Sequence, residues 1–206
     1  MKSALVLVDL QRDFLPGGAL AVPEGDRVVP LANRLARRFG LVVATQDWHP
    51  PDHVSFAANH PGRSPGDVIE IGELHQVLWP VHCVQFTPGA AFAPGLDTSR
   101  ISRIFAKGTQ RDVDSYSGFF DNLRRRSTGL GEFLEAQQVA QVYVLGLATD
   151  YCVRATALDA RSLGFDTRLV VDACRGVELH PGDVQQALTD MQRAGVELVH
   201  SGELLG

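Results

Sequence analysis

Three residues of different chemistry fall at corresponding places in this 206-residue chain. Cys152 follows the apolar run Val142-Tyr-Val-Leu145 and the turn at Gly146, and it precedes an Ala-rich, helix-forming run. That pattern reads as a strand-to-helix corner, with Thr149 and Asp150 as helix-capping residue types. A thiol in the first turn of a helix meets unpaired N–H groups. It is therefore expected to have a lowered pKa, as a nucleophile needs. Backbone N–H groups at the same corner could also hold a developing oxyanion. Asp9 ends another apolar run, residues 4–8, and Lys107 ends a third, residues 102–106. An aspartate beside the thiol can accept its proton, and a lysine favours both carboxylate and thiolate. Taken singly, each residue also fits a bland role as small buried thiol, loop cap or surface cation. Three together at strand ends fit catalysis better.

Lys107 stands out by composition. Of 19 basic residues only Lys2 and Lys107 are lysine. A lysine kept in a chain that otherwise uses arginine suggests a place where a planar guanidinium would not serve. A second cluster is Asp47-Trp-His49, with His53 and His82 further along. Imidazole with carboxylate suits zinc, iron or manganese, although a D-x-H pair alone is a weak signal. Cys83 and Cys174 are assigned to packing. Phe14, Trp79 and Tyr116 lie in three loops on the same rim, where they could wall a flat ring or simply anchor the loops.

The elements that must position these groups alternate between strand and helix. Strands are predicted at 4–8, 41–44, 102–106, 142–145, 166–171 and 196–199, with helices at 27–39, 131–138, 150–163 and 184–193. Residues 50–97 carry little periodicity and read as a long functional loop. This order implies one domain with a doubly wound, mostly parallel six-stranded sheet and helices on both faces. Ligands of such folds bind at the strand carboxyl ends, where Asp9, Asp47, Lys107 and the Cys152 corner all fall.

A net charge of −5 gives no reason to expect nucleic acid or an anionic membrane as partner. No apolar run approaches the ~20 residues that span a bilayer. The start of the chain does not read as a signal peptide, and three widely spaced cysteines suit a reducing cytoplasm. The sequence leaves open whether the chain acts as a monomer or a homo-oligomer.

The segments Val8-Asp-Leu-Gln-Arg-Asp-Phe14, Thr45-Gln-Asp-Trp-His-Pro50, Trp79-Pro-Val-His-Cys83, Lys107-Gly, Asp114-Ser-Tyr-Ser-Gly-Phe-Phe120 and Gly146-Leu-Ala-Thr-Asp-Tyr-Cys-Val153 resemble the isochorismatase-like cysteine hydrolases. Within that group they are most similar to the nicotinamidases, or pyrazinamidases. The resemblance runs in the family's order from Asp9 to about Asp172. It implies a catalytic triad of Asp9, Lys107 and Cys152, with an oxyanion hole at the N–H groups of Ala148 and Cys152. It implies one divalent ion on Asp47, His49 and His82, with His53 a ligand in some members. Substrate contacts would come from Phe14, Trp79 and Tyr116, and a cis peptide is expected at Leu147-Ala148. The implied reaction is deamidation of nicotinamide through a thioester. The alternatives are a ureido or carbamoyl amidase of the same family, or a non-catalytic small-molecule binder on the same fold.

Overall fold

The computed structural model describes residues 1–72 and 74–206. In chain order the elements are β1 (Ser3–Val8), α1 (Val28–Ala36), β2 (Val42–Asp47), β3 (Val68–Ile71), β4 (Leu74–Val77), β5 (Arg103–Lys107), α2 (Leu130–Ala136), β6 (Gln141–Leu147), α3 (Arg154–Ser162), β7 (Asp166–Arg175), α4 (Asp183–Arg193), β8 (Glu197–Val199) and α5 (Ser201–Leu205). Six strands form one sheet in the order β5-β2-β1-β6-β7-β8, and all its pairings are parallel. The predicted six-stranded sheet is therefore present. β3 and β4 form a separate antiparallel hairpin.

The strands at the centre are the most apolar. In β1 every residue from Ala4 to Val8 is buried, as expected of a parallel strand covered on both faces. Right-handed crossovers place the helices. The chain moves from β1 to β2 in one direction across the sheet and from β6 to β7 in the other, so α1 and α3 cover opposite faces. The step from β5 to β6 carries α2 to the side of α3. The reversal lies between β1 and β6, which makes their carboxyl ends the crevice of the sheet.

Register sets the site. Val8 pairs with Gly146, and Asp47 pairs with Lys107. Four adjacent strand ends thus carry Lys107, Asp47, Asp9 and the Cys152 corner in that order across the sheet. At Gly146, φ is +133° and a Cβ would come within 2.8 Å of the Val8 nitrogen. Only glycine lets β6 lie this close to β1 at the point where both strands end.

Several expectations are corrected. β2 continues through Thr45 to Asp47, and β7 runs on to Arg175. The segment 50–97 holds the β3–β4 hairpin, and α5 follows β8. Thr149 and Asp150 do not cap α3. The Asp150 carboxylate instead accepts the N–H groups of Val177 and Glu178, tying down the chain after β7. Residues Thr149–Val153 form a π-type turn, and α3 starts only at Arg154.

Candidate active site

Cys152 sits in that π-type turn, in the crevice, with 7% of its surface exposed. The wide turn bonds Val153 N–H to Ala148 O at 3.1 Å. The Leu147–Ala148 peptide is cis, and the Ala148 N–H takes no acceptor among the described residues. Asp9, at φ +48°, leaves the end of β1 fully buried. Thr45 on β2 holds it twice: the hydroxyl donates to Asp9 Oδ1 at 2.6 Å and accepts the Asp9 N–H at 3.2 Å. Asp9 Oδ2 is ion-paired with Lys107 Nζ at 3.0 Å. One carboxylate oxygen is thus held by Thr45 and the other by the Lys107 ammonium.

Lys107 Nζ is fully buried and central. It donates to Asp47 Oδ1 at 2.6 Å, to Ser115 O at 2.9 Å and to Cys152 Sγ at 3.4 Å. Burial disfavours its charge, but Asp47, Asp9 and Cys152 hold the ammonium well above its ordinary pKa. Burial likewise raises the Asp9 carboxyl, with Lys107 opposing and Asp47 reinforcing. Asp47 differs: against its burial, Lys107 and His49 hold it well below the usual carboxylate range.

The expected low thiol pKa is not found. Burial pushes Cys152 well above its usual value, Lys107 opposes, and Asp9 and Asp47 push further. A buried sulfur flanked by two carboxylates keeps its proton, and one lysine does not reverse that. Such a thiol needs a base at the moment of attack. Asp9 is in reach, because the ligand atoms of Asp9, Asp47 and Cys152 lie within 4.8 Å of one another.

Asp47, His49 and His82 form a second group on the same scale, all buried. The Nε2 atoms of His49 and His82 stand 3.5 and 3.8 Å from Asp47 Oδ2. Ligand bonds of about 2.1 Å meeting at a metal put donor atoms roughly 3–3.5 Å apart, so the set fits a divalent ion. The outer ring nitrogens are fixed by backbone: His49 Nδ1 bonds Gly108 O at 2.9 Å and His82 Nδ1 bonds Pro80 O at 2.8 Å. That leaves each Nε2 as the acceptor a metal requires. His53 is placed otherwise. Its Nδ1 meets Ser55 Oγ at 2.7 Å and its Nε2 meets Val113 O at 3.3 Å. Burial and the neighbouring His49 lower its pKa to about 4. Its position groups with His49 and Asp114 rather than with the Asp47 set.

A cavity joins the two groups and is lined by Phe14, Trp79, Tyr116, Asp47, His49, His82, Ala148 and Cys152. The three aromatics predicted from sequence are all on its wall. Leu20, Asp114, Tyr151 and Val177 also line it and were not predicted. Tyr151 packs edge-on against Trp79 and Tyr116, with ring centroids 4.8 and 5.5 Å apart. Its place beside Cys152 was the one available signal. The Tyr116 hydroxyl accepts from Trp79 Nε1 and from Gln76 Nε2, both at 3.2 Å, so the hairpin braces the wall. Thr45 and Gln76 carried no sequence signal, since their partners lie 36 and 40 residues away.

The isochorismatase domain family matches residues 3–203. A nicotinamidase of Escherichia coli (strain K12) is 48% identical over 199 residues, covering 95% of this chain and 93% of that protein. Among solved structures, a nicotinamidase/pyrazinamidase of Acinetobacter baumanii is 47% identical, with a TM-score of 0.96 and 98% of each chain covered. A pyrazinamidase of Pyrococcus horikoshii in complex with zinc is 42% identical, with a TM-score of 0.79, covering 97% of this chain and 99% of that one.

Proposed function

The chain belongs to the isochorismatase domain family, and we propose that it is a cysteine amidohydrolase converting nicotinamide, and also pyrazinamide, to the acid and ammonia. The observation that carries this reading is the placement of the buried Asp9 carboxylate beside both Lys107 and the Cys152 thiol. Asp9 is buried, its Oδ2 pairs with Lys107 Nζ at 3.0 Å, and a carboxylate oxygen lies within 4.8 Å of Cys152 Sγ. A protonated buried thiol and a carboxylate within reach of it make a nucleophile with its base.

In the proposed reaction Cys152 Sγ attacks the carboxamide carbon while Asp9 Oδ2 takes the thiol proton. The carbonyl oxygen gains charge and turns to the N–H groups of Ala148 and Cys152. Asp9 returns the proton to the departing nitrogen, and ammonia leaves a thioester on Cys152. Water then adds to the thioester, Asp9 takes one of its protons, and the thiol leaves with that proton; the acid formed gives up its remaining proton to solvent and is released as nicotinate. Lys107 keeps the ammonium charge beside Asp9 throughout, and its bond to Ser115 O fixes it there.

Phe14, Trp79 and Tyr116 hold the ring flat. Asp47, His49 and His82 are the residues that would hold one divalent ion, for which zinc, iron and manganese all suit the donors. When bound, that ion supplies a Lewis-acid position for the pyridine nitrogen, which orients the carboxamide toward Cys152. No helix among the described residues is long and apolar enough to cross a membrane. We assign the whole chain to one catalytic domain acting in cytoplasmic salvage of pyridine nucleotides. The test is ammonia release from nicotinamide together with metal analysis of the purified protein. Equal ammonia and nicotinate, with one ion per chain, is the expected result. Ammonia from ureido or carbamoyl compounds but not from nicotinamide would move the assignment to that branch of the family.

A further inference from the structure

Asp9, Asp47 and Cys152 each bring one ligand atom to within 4.8 Å of the other two, and all three residues are buried. Two carboxylates and a thiolate are a donor set that zinc or cobalt accepts. A cation already sits there. Lys107 Nζ lies 2.6 Å from Asp47 Oδ1, 3.0 Å from Asp9 Oδ2, 3.4 Å from Cys152 Sγ and 2.9 Å from Ser115 O. Four contacts around one cationic nitrogen reproduce the coordination number of a tetrahedral metal.

Asp47 belongs to both groups. Its Oδ1 faces Lys107, and its Oδ2 faces His49 and His82. A divalent ion held by the histidines would therefore be one carboxylate away from the nucleophile. Thiolate is a preferred ligand for such ions, and a sulfur that shares a lone pair with a metal is a poorer nucleophile. An ammonium offers positive charge without an acceptor orbital for sulfur. It leaves the thiol free to react.

We propose that Lys107 occupies a second metal site and so keeps divalent metal off Cys152. Removing its side chain opens that site, in which Asp47 bridges two ions through its two oxygens. The new ion binds the sulfur as thiolate and displaces the thiol proton to solvent. The site itself does not depend on the reading of Asp47, His49 and His82 as the resident metal site; only the expected ion count does.

Cobalt(II) is the probe, because sulfur bonded to cobalt produces a charge-transfer absorption that nitrogen and oxygen ligands do not. The wild-type chain should bind one cobalt per chain without that absorption. Lys107→Ala should bind one more and show it. Lys107→Ala combined with Cys152→Ser should lose the absorption. Lys107→Ala with wild-type stoichiometry and no sulfur absorption overturns the proposal. If Lys107→Ala does not fold alone, it and Lys107→Ser are refolded with two equivalents of cobalt. Folded protein carrying the absorption supports the proposal, and failure of both variants to fold with metal overturns it. A wild-type chain that binds no cobalt contradicts the histidine site instead. One sulfur-bound cobalt in Lys107→Ala would still carry the present inference.

Discussion

Replacing Thr45 with valine removes one oxygen and keeps the shape of the side chain. Thr45 is fully buried, and its hydroxyl makes two hydrogen bonds to Asp9, at 2.6 Å to Oδ1 and 3.2 Å from the backbone N–H. Losing a buried hydrogen bond to a carboxylate costs about 1.5–3 kcal/mol, and leaving the Asp9 N–H without an acceptor costs about 1–3 kcal/mol. The two losses share one residue and overlap, so about 2–4 kcal/mol is expected in total. For a chain of this size that lowers Tm by roughly 5–15 °C. The effect on rate has a separate origin. Without its anchor at Oδ1, the Asp9 carboxylate can turn and pair both oxygens with Lys107, so that neither is held in place for the thiol proton. A misplaced catalytic group loses about 100-fold in rate. The assay is kcat for ammonia release well below the lowered Tm, with Thr45→Ser as the control that restores the hydroxyl. Thr45→Ser should recover most of the rate. A Thr45→Val enzyme that is destabilised as expected yet turns over within threefold of wild type would refute the reasoning, because Thr45 would then hold the fold and not the base.

Lys107→Arg keeps the charge, but four atoms crowd Nζ within 3.4 Å and the side chain has no exposed surface; steady-state kinetics should show a loss of at least ~100-fold, and near-normal activity would make charge alone sufficient. Gly108 has φ +61°, and a Cβ there would come within 2.6 Å of His49 Nδ1 and closer still to Cε1. Gly108→Ala should therefore displace the His49 ring and weaken zinc binding about 10–100-fold in a chelator competition; unchanged affinity would remove His49 from the metal site. Benzamide shares the ring and carboxamide of nicotinamide but has no ring nitrogen. Chelation should damage nicotinamide turnover far more than residual benzamide turnover, and equal losses would leave the metal a structural role only.

Strand-end reasoning reached Asp9, Lys107 and Cys152 because a parallel sheet delivers its carboxyl ends to one rim, and an apolar run announces where a strand ends. It understated β2, since Thr45-Gln46-Asp47 is polar and yet continues the ladder to Lys107. The β3–β4 hairpin was missed because each strand is only four residues long and no residue of Val68–Ile71 is fully buried. Gln76, its one buried strand residue, reaches Asp114 and Tyr116 across the chain. The thiol pKa was misread for a similar reason. A helix-start position can be read locally, whereas burial between Asp9 and Asp47 is a property of the assembled sheet. The π-type turn adds to this by moving the start of α3 beyond the cysteine.

The central claim is that Cys152 carries the acyl group on a buried thiol deprotonated by Asp9 only as it attacks. Rapid quenching of the enzyme with nicotinamide in acid, followed by intact-mass and peptide analysis, tests it most directly. A nicotinoyl adduct should appear on the peptide containing Cys152, form and decay at rates compatible with kcat, and be absent from Cys152→Ala, which should also release no ammonia while still binding nicotinate. Ammonia release by Cys152→Ala well above background, or an adduct on Cys83 or Cys174 in place of Cys152, would contradict the account.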